Sequence, residues 1–519
     1  MTGPRGNAFV EAATTYGALR GIRFRGIESF LGIPYGAPTS GRARFTPPAR
    51  PEPWSGAREA LHFGDAPPQV DTRLGSEGSA QAVHNLMYVK GGHPLDGARM
   101  SEDCLNLNVW TPASDDGGRR PVMVWFHGGG FVHGSAGSGL YNGDELAALG
   151  DVVVVTVNAR LGLTGFLPLD QLVGPDFASA SNAGVLDLVA ALEWVRDNIA
   201  GFGGDPGNVT IFGQSGGGGK VNVLMAMPSA RGLFHKAINM SGPMLTVTEP
   251  AEARQLALKA LAAAGVDANN PEAMRELPLR ALLDVQRKLS PALGAAFGMN
   301  PAAPAMSTGW GPVLDGTVVV RHPFGKDAPA MVDKIPMMIG YASHDPSLLM
   351  AGSASFPTLG AEQARSLAAA NFGDAGVAMM ETFNGDFADE PVRLRYARVV
   401  NAFTFKAAAT AMVEAKSEQS APVYLYEFAH TTDILDGLLG TTHSLDLPFV
   451  FNNVDRSVYA GELPSRHHTS RNMALAWASF ALSGNPNHDG IPLWAPDDGL
   501  GRGMRIGPVW QAWSEELVS

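Results

Sequence analysis

The stretch NVTIFGQSGGGGK, Asn208 to Lys220, constrains this chain more than any other. A strand-like apolar run passes without a spacer into a glycine-rich turn, and helix-forming residues follow. Two kinds of site are built on such a unit. One is a phosphate cradle, Gly-x-x-x-x-Gly-Lys-Ser/Thr; the other is a Gly-x-Ser-x-Gly turn that presents a serine at its tip. Counting back from Lys220, the cradle needs glycine where Gln214 stands and a metal-binding hydroxyl where Val221 stands. It therefore fails. The serine turn fits as it is, with Gly213, Ser215 and Gly217. A serine at such a tip sits in unfavourable φ/ψ, so its neighbours must lack clashing side chains. The turn also aims the amide of Gly216 at the reaction centre, beside a helix N-terminus that stabilises developing negative charge.

The neighbouring segments give this turn a sheet to belong to. PVMVWFHGGGF predicts a strand over Val122 to Phe126 that ends in a glycine loop, and GDVVVVTVNARLG predicts a second buried strand. Continuous β-branched runs of this kind suit strands covered by helices on both faces. NAGVLDLVAALEWVRDNIAGFGG predicts an amphipathic helix closed by glycine near Gly201, and KAINMSG and KIPMMIGYASHD predict two later strands. Strands alternating with helices imply an α/β fold with a mostly parallel central sheet. Helical stretches at about 250–300 and 361–413 interrupt the pattern and are expected to pack over the sheet as cap or lid insertions. No linker or repeat divides the chain, so residues 1–519 are expected to form one domain.

Composition narrows the partners. A net charge of −12 and a pI near 5.5, with no basic cluster, argue against nucleic acid. No apolar run reaches the ~18 residues of a membrane span. The single cysteine, Cys104, cannot form an internal disulfide, and the first residues carry no signal-peptide pattern. A cytoplasmic location is the expectation.

A second glycine element, HGGGF from His127 to Phe131, follows a buried strand and lies upstream of the serine. Glycines there let backbone amides approach a substrate oxygen closely. Together with FLGIPYGAPTSGRARFTPPARPEPWSG, SEDCLNLNVWTP and MALAWASFALSGNPN, these blocks resemble the type-B carboxylesterases, the serine hydrolases that include the cholinesterases. The likeness runs over nearly the whole chain and implies an α/β-hydrolase fold. It implies Ser215 as nucleophile and the amides of Gly129, Gly130 and Gly216 as oxyanion donors. GYASHDP puts Asp345 at the position of the triad acid, where glutamate is usual, and HSLDLPFVF puts His443 at the triad histidine. The order serine, acid, histidine is that of the fold. His443 precedes an apolar run, LDLPFVF, that reads as strand-like and rigid. Asp446 is the competing acid and is read as structural.

Other positions bear on tuning. Gln214 stands where the family usually has glutamate, and Pro94 where cholinesterase-like members place a choline-stacking tryptophan. Both argue against cationic substrates. Ser241 falls on a family serine supporting the histidine network, with a plain strand-end serine as the alternative. Trp310 is either an acyl-pocket wall or a packed core residue. Lys220 has no counterpart and reads as a solvated lysine on a helix surface.

The resulting expectation is a serine carboxylesterase acting on neutral, apolar esters through an acyl-enzyme, with no metal or organic cofactor. An amidase or carbamate hydrolase with the same triad is the alternative within the class. A non-catalytic cholinesterase-like binding protein is the alternative outside it.

Overall fold

A computed structural model describes residues 6–70, 99–172, 177–290, 309–499 and 501–514. Among these residues thirteen strands form one sheet: β1 Ala8–Thr14, β2 Gly17–Phe24, β3 Ile27–Pro34, β4 Ala57–Glu59, β5 Asn106–Thr111, β6 Arg120–Phe126, β7 Val153–Val157, β8 Gly204–Gln214, β9 Lys236–Met240, β10 Met337–Ala342, β11 Val423–Phe428, β12 Arg502–Ile506 and β13 Gln511–Ser514. Their order is β1-β2-β3-β5-β7-β6-β8-β9-β10-β11-β12-β13, with β4 beside β2. From β7 to β12 every neighbouring pair is parallel. The N-terminal strands and β13 extend the edges in antiparallel fashion, which the α/β pattern did not anticipate.

The valine-rich runs form central strands because both faces are covered. Along β6, Val122, Val124 and Phe126 enter one apolar cluster while Met123 and Trp125 enter the other. This is the period-two alternation of a strand buried on both sides. The helices Ala183–Asn198, Gly216–Met225 and Phe405–Ser417 supply the first cluster, and Ser465–Ser483 the second. A glycine closes the first of these helices, as expected. A 3-10 turn continues the coil past Gly201, and Gly203, with φ 74°, ends it.

Two helical groups sit outside this sandwich, each around its own small core. Helices Pro250–Ala264 and Leu279–Leu289 pack with Leu163, Val132 and Trp310. Helix Ala361–Asp386 breaks at Gly373 and packs with Val392–Phe403 around Ala368, Met380 and Tyr396. No described helix is long and apolar enough to cross a membrane.

Candidate active site

Strand β8 runs to Gln214, and the helix Gly216–Met225 starts immediately beyond it. Ser215 is the single residue between them. Its φ of 59° and ψ of −126° lie outside the regions L-residues favour. Hydrogen bonds hold the strained turn: the Ser215 amide donates to the Met240 carbonyl at 2.9 Å, and Gly219 donates to the Ser215 carbonyl at 3.0 Å.

The glycine run is a close-packing device. A methyl group on Gly217 would collide with the Phe126 and His127 carbonyls, and one on Gly216 would lie 2.5 Å from the Gly130 amide nitrogen. Bare backbone at these two positions lets the HGGGF loop lie directly on the helix that follows Ser215. Gly216 thereby lies against Gly130, and Gly128 comes so near that its own Cβ would lie 3.3 Å from that of Ser215.

Asp345 lies just past the C-terminal end of β10, and His443 in the loop after β11. The His443 Nδ1–H donates to Asp345 Oδ1 at 2.6 Å across 98 residues of sequence. Both side chains are buried. The second carboxylate oxygen, Oδ2, accepts from the Ser241 hydroxyl at 2.8 Å and the Ala342 amide at 2.7 Å. Ser241 is therefore more than a strand-end serine: it braces Asp345. Donation from Nδ1 leaves the lone pair of the neutral imidazole on Nε2.

Gln214 reaches the same imidazole. Its amide nitrogen lies 3.4 Å from Nδ1 and 3.2 Å from Nε2, and its oxygen accepts from the Ser444 hydroxyl at 3.0 Å. Nearly equal distances to both ring nitrogens put the amide over the face of the ring. Phe405 lies against the ring too, 5.0 Å between centres. The Tyr459 hydroxyl donates to the His443 carbonyl.

Several expectations change here. The LDLPFVF run is not a strand: Leu447–Val450 is a short helix with proline in its first turn. Lys220 is buried rather than solvated. Trp310 belongs to the apolar core with Val132 and Leu282, its indole N–H donating to the Ser290 hydroxyl at 3.1 Å. Asp446 is buried, and among the described residues its carboxyl accepts no well-formed hydrogen bond. Burial first, then the nearby Asp345 charge, pushes its pKa up to about 8. It stands behind the histidine loop while Asp345 bonds the ring. Pro94 lies outside the described residues.

Phe405, Tyr459 and His344 carry no sequence signal that marks them. His344 ties the two site loops together: its Nδ1 accepts from the Thr441 amide at 3.0 Å while its Nε2 meets Glu390 at 3.2 Å. No group of three or more His, Cys, Asp or Glu side chains among the described residues is arranged to hold a metal ion.

Residues 8–501 match the carboxylesterase family. The chain belongs to that family. It is 34% identical to the human cocaine esterase over 492 residues, 90% of this chain and 81% of that one. It is 33% identical to the phenmedipham hydrolase of Pseudarthrobacter oxydans over 491 residues, 93% and 92% of the two chains. The crystal structure of a Geobacillus stearothermophilus carboxylesterase superposes with a TM-score of 0.79 at 32% identity, covering 97% of this chain and 98% of that one. The fold is accordingly the α/β-hydrolase fold, and the protein is a serine carboxylesterase.

Proposed function

We propose that Ser215, His443 and Asp345 form the triad and that the protein hydrolyses neutral carboxylic esters by two-step acyl transfer. The bond of 2.6 Å between His443 and Asp345, set beside a serine held at φ 59°, is what supports this reading. Nε2 of His443 takes the Ser215 proton as Oγ attacks the ester carbonyl. The oxyanion is held by the amides of Gly129, Gly130 and Gly216. His443 then protonates the leaving alcohol, and water attacks the acyl-enzyme by the same route. Asp345 keeps the imidazole in the Nδ1–H tautomer and stabilises the imidazolium.

Neutral substrates follow from the neutral amide of Gln214 over the histidine, where a carboxylate would attract cations. A carbamate-cleaving activity on the same triad is the second reading, favoured by the name of the phenmedipham hydrolase among its relatives. A cytoplasmic setting is the accompanying proposal, supported by the lone, buried Cys104.

The test is p-nitrophenyl butyrate hydrolysis by the wild type and by Ser215→Ala. Loss of ~10³-fold or more in a folded variant is expected. Equal activity would sink the triad. Matched ester, anilide and carbamate substrates then rank the leaving groups.

A further inference from the structure

Lys220 closes the glycine run, and neither the triad nor the oxyanion amides account for it. Taking an ammonium out of water costs several kcal/mol, so a buried lysine needs partners. Among the described residues no carboxylate pairs with Lys220, and burial pulls its pKa down to about 7. Its contacts are of another kind. Nζ donates to the His127 carbonyl at 2.8 Å and lies 5.7 Å from the centre of the Phe131 ring. His127 and Phe131 are the two ends of the HGGGF loop.

The three residues between those ends, Gly128 to Gly130, have no side chains with which to anchor themselves. Glycine has the widest backbone freedom, and oxyanion donors work only when held in place before the charge develops. The loop already lies on the helix that carries Ser215, because Gly216 and Gly217 leave no side chain between them. Lys220 projects from that same helix. His127 itself is neutral in this setting: burial, then the Lys220 charge, holds its pKa well below the ordinary value, and its Nδ1–H donates to the Gly128 carbonyl at 2.8 Å.

We infer that Lys220 is a positioning residue for the oxyanion loop: held on the His127 carbonyl and against the Phe131 ring, it sets the Gly129 and Gly130 amides relative to Ser215. The inference rests on the reading of Ser215 as nucleophile and of those amides as oxyanion donors.

The experiment compares Lys220→Met, which keeps the apolar stem and loses the donor, with Lys220→Gln, which keeps a neutral donor. Ser215→Ala runs beside them in the full chain. Rates on p-nitrophenyl butyrate are divided by active sites titrated to completion with a fluorophosphonate, so misfolded protein does not count. Affinity for a trifluoromethyl ketone, whose serine adduct places an oxyanion in the hole, is measured in parallel. A misplaced donor costs ~10- to 100-fold. Lys220→Met should lose that factor in kcat per titrated site and in ketone affinity, with KM within ~3-fold of wild type. Lys220→Gln should fall between the two.

Wild-type kcat per site and wild-type ketone affinity in Lys220→Met would overturn the inference, whatever the variant does to stability. Should the methionine variant yield no folded protein, Lys220→Gln decides alone, and ketone affinity equal to wild type overturns it. An active Ser215→Ala would instead remove the nucleophile reading on which the inference stands.

Discussion

Asp345 reaches His443 at 2.6 Å with a side chain one methylene shorter than the glutamate usual in the family. Asp345 sits directly past β10, where the Ala342 amide and the Ser241 hydroxyl fix its other oxygen. The His344 side chain bonded to Thr441 stitches this strand end to the histidine loop.

Asp345→Asn should keep the geometry and lose the charge and the tautomer control, lowering kcat by ~10³- to 10⁴-fold. Asp345→Glu puts an extra methylene into a site with no room for it and should lower kcat as well, by a smaller factor. Steady-state kinetics on p-nitrophenyl butyrate measures both. A glutamate variant faster than wild type would mean the backbone is not tuned to aspartate.

Gln214→Glu would place a carboxylate over the His443 ring and favour the imidazolium. The acidic limb of the kcat/KM profile should move to higher pH, and butyrylcholine should gain relative to a neutral butyrate ester. Full pH profiles on both substrates provide the check. An unmoved acidic limb would show that the amide does not act on the ring.

Asp446 links stability to pH. Its carboxyl ordinarily titrates near 3.8 and in the fold near 8, so between these values the folded protein keeps a proton that the unfolded chain releases. The stability this group contributes is full below about 4 and is lost as pH rises through about 8. Asp446→Asn has nothing to titrate and should gain on the wild type in Tm over that window, with the difference levelling off above it. Melting curves at closely spaced pH values decide it; a constant difference would contradict the burial argument.

Gly217→Ala tests the packing of loop on helix. The added methyl meets the Phe126 and His127 carbonyls, which are backbone and cannot swing aside. Overpacking of this kind costs ~1–3 kcal/mol, and here it also pushes the oxyanion loop away. The variant should melt lower and lose most of its esterase activity. Wild-type rates at wild-type Tm would contradict a tight contact between loop and helix.

The local features of the site were legible because they are written in consecutive residues. The β8 run, the glycine pair framing Ser215 and the HGGGF loop each declare their conformation through spacing and side-chain size. Strands β1 to β5 and β11 to β13 were missed, since their mixed polar and apolar segments lack the continuous β-branched runs that marked the central strands. LDLPFVF misled because a short apolar run reads alike as strand or buried helix, and Pro448 at the helix start settles it only once the chain is seen. Lys220 misled for a related reason: a charged residue on a helix is exposed by default, and only a neighbouring loop could bury it.

By itself, then, the sequence determined a parallel sheet with a strained serine at the end of β8 and a glycine loop beside it, and its blocks pointed to Asp345 and His443. The tertiary structure decided how those groups meet. It laid Gln214 over the imidazole, put Phe405 and Tyr459 around His443, buried Lys220 beneath the HGGGF loop and buried the Asp446 carboxyl. Conformation at a turn is local, set by sterics within a few residues. Contacts between segments 98 residues apart exist only because β8, β10 and β11 run parallel in one sheet and deliver their following loops to the same edge.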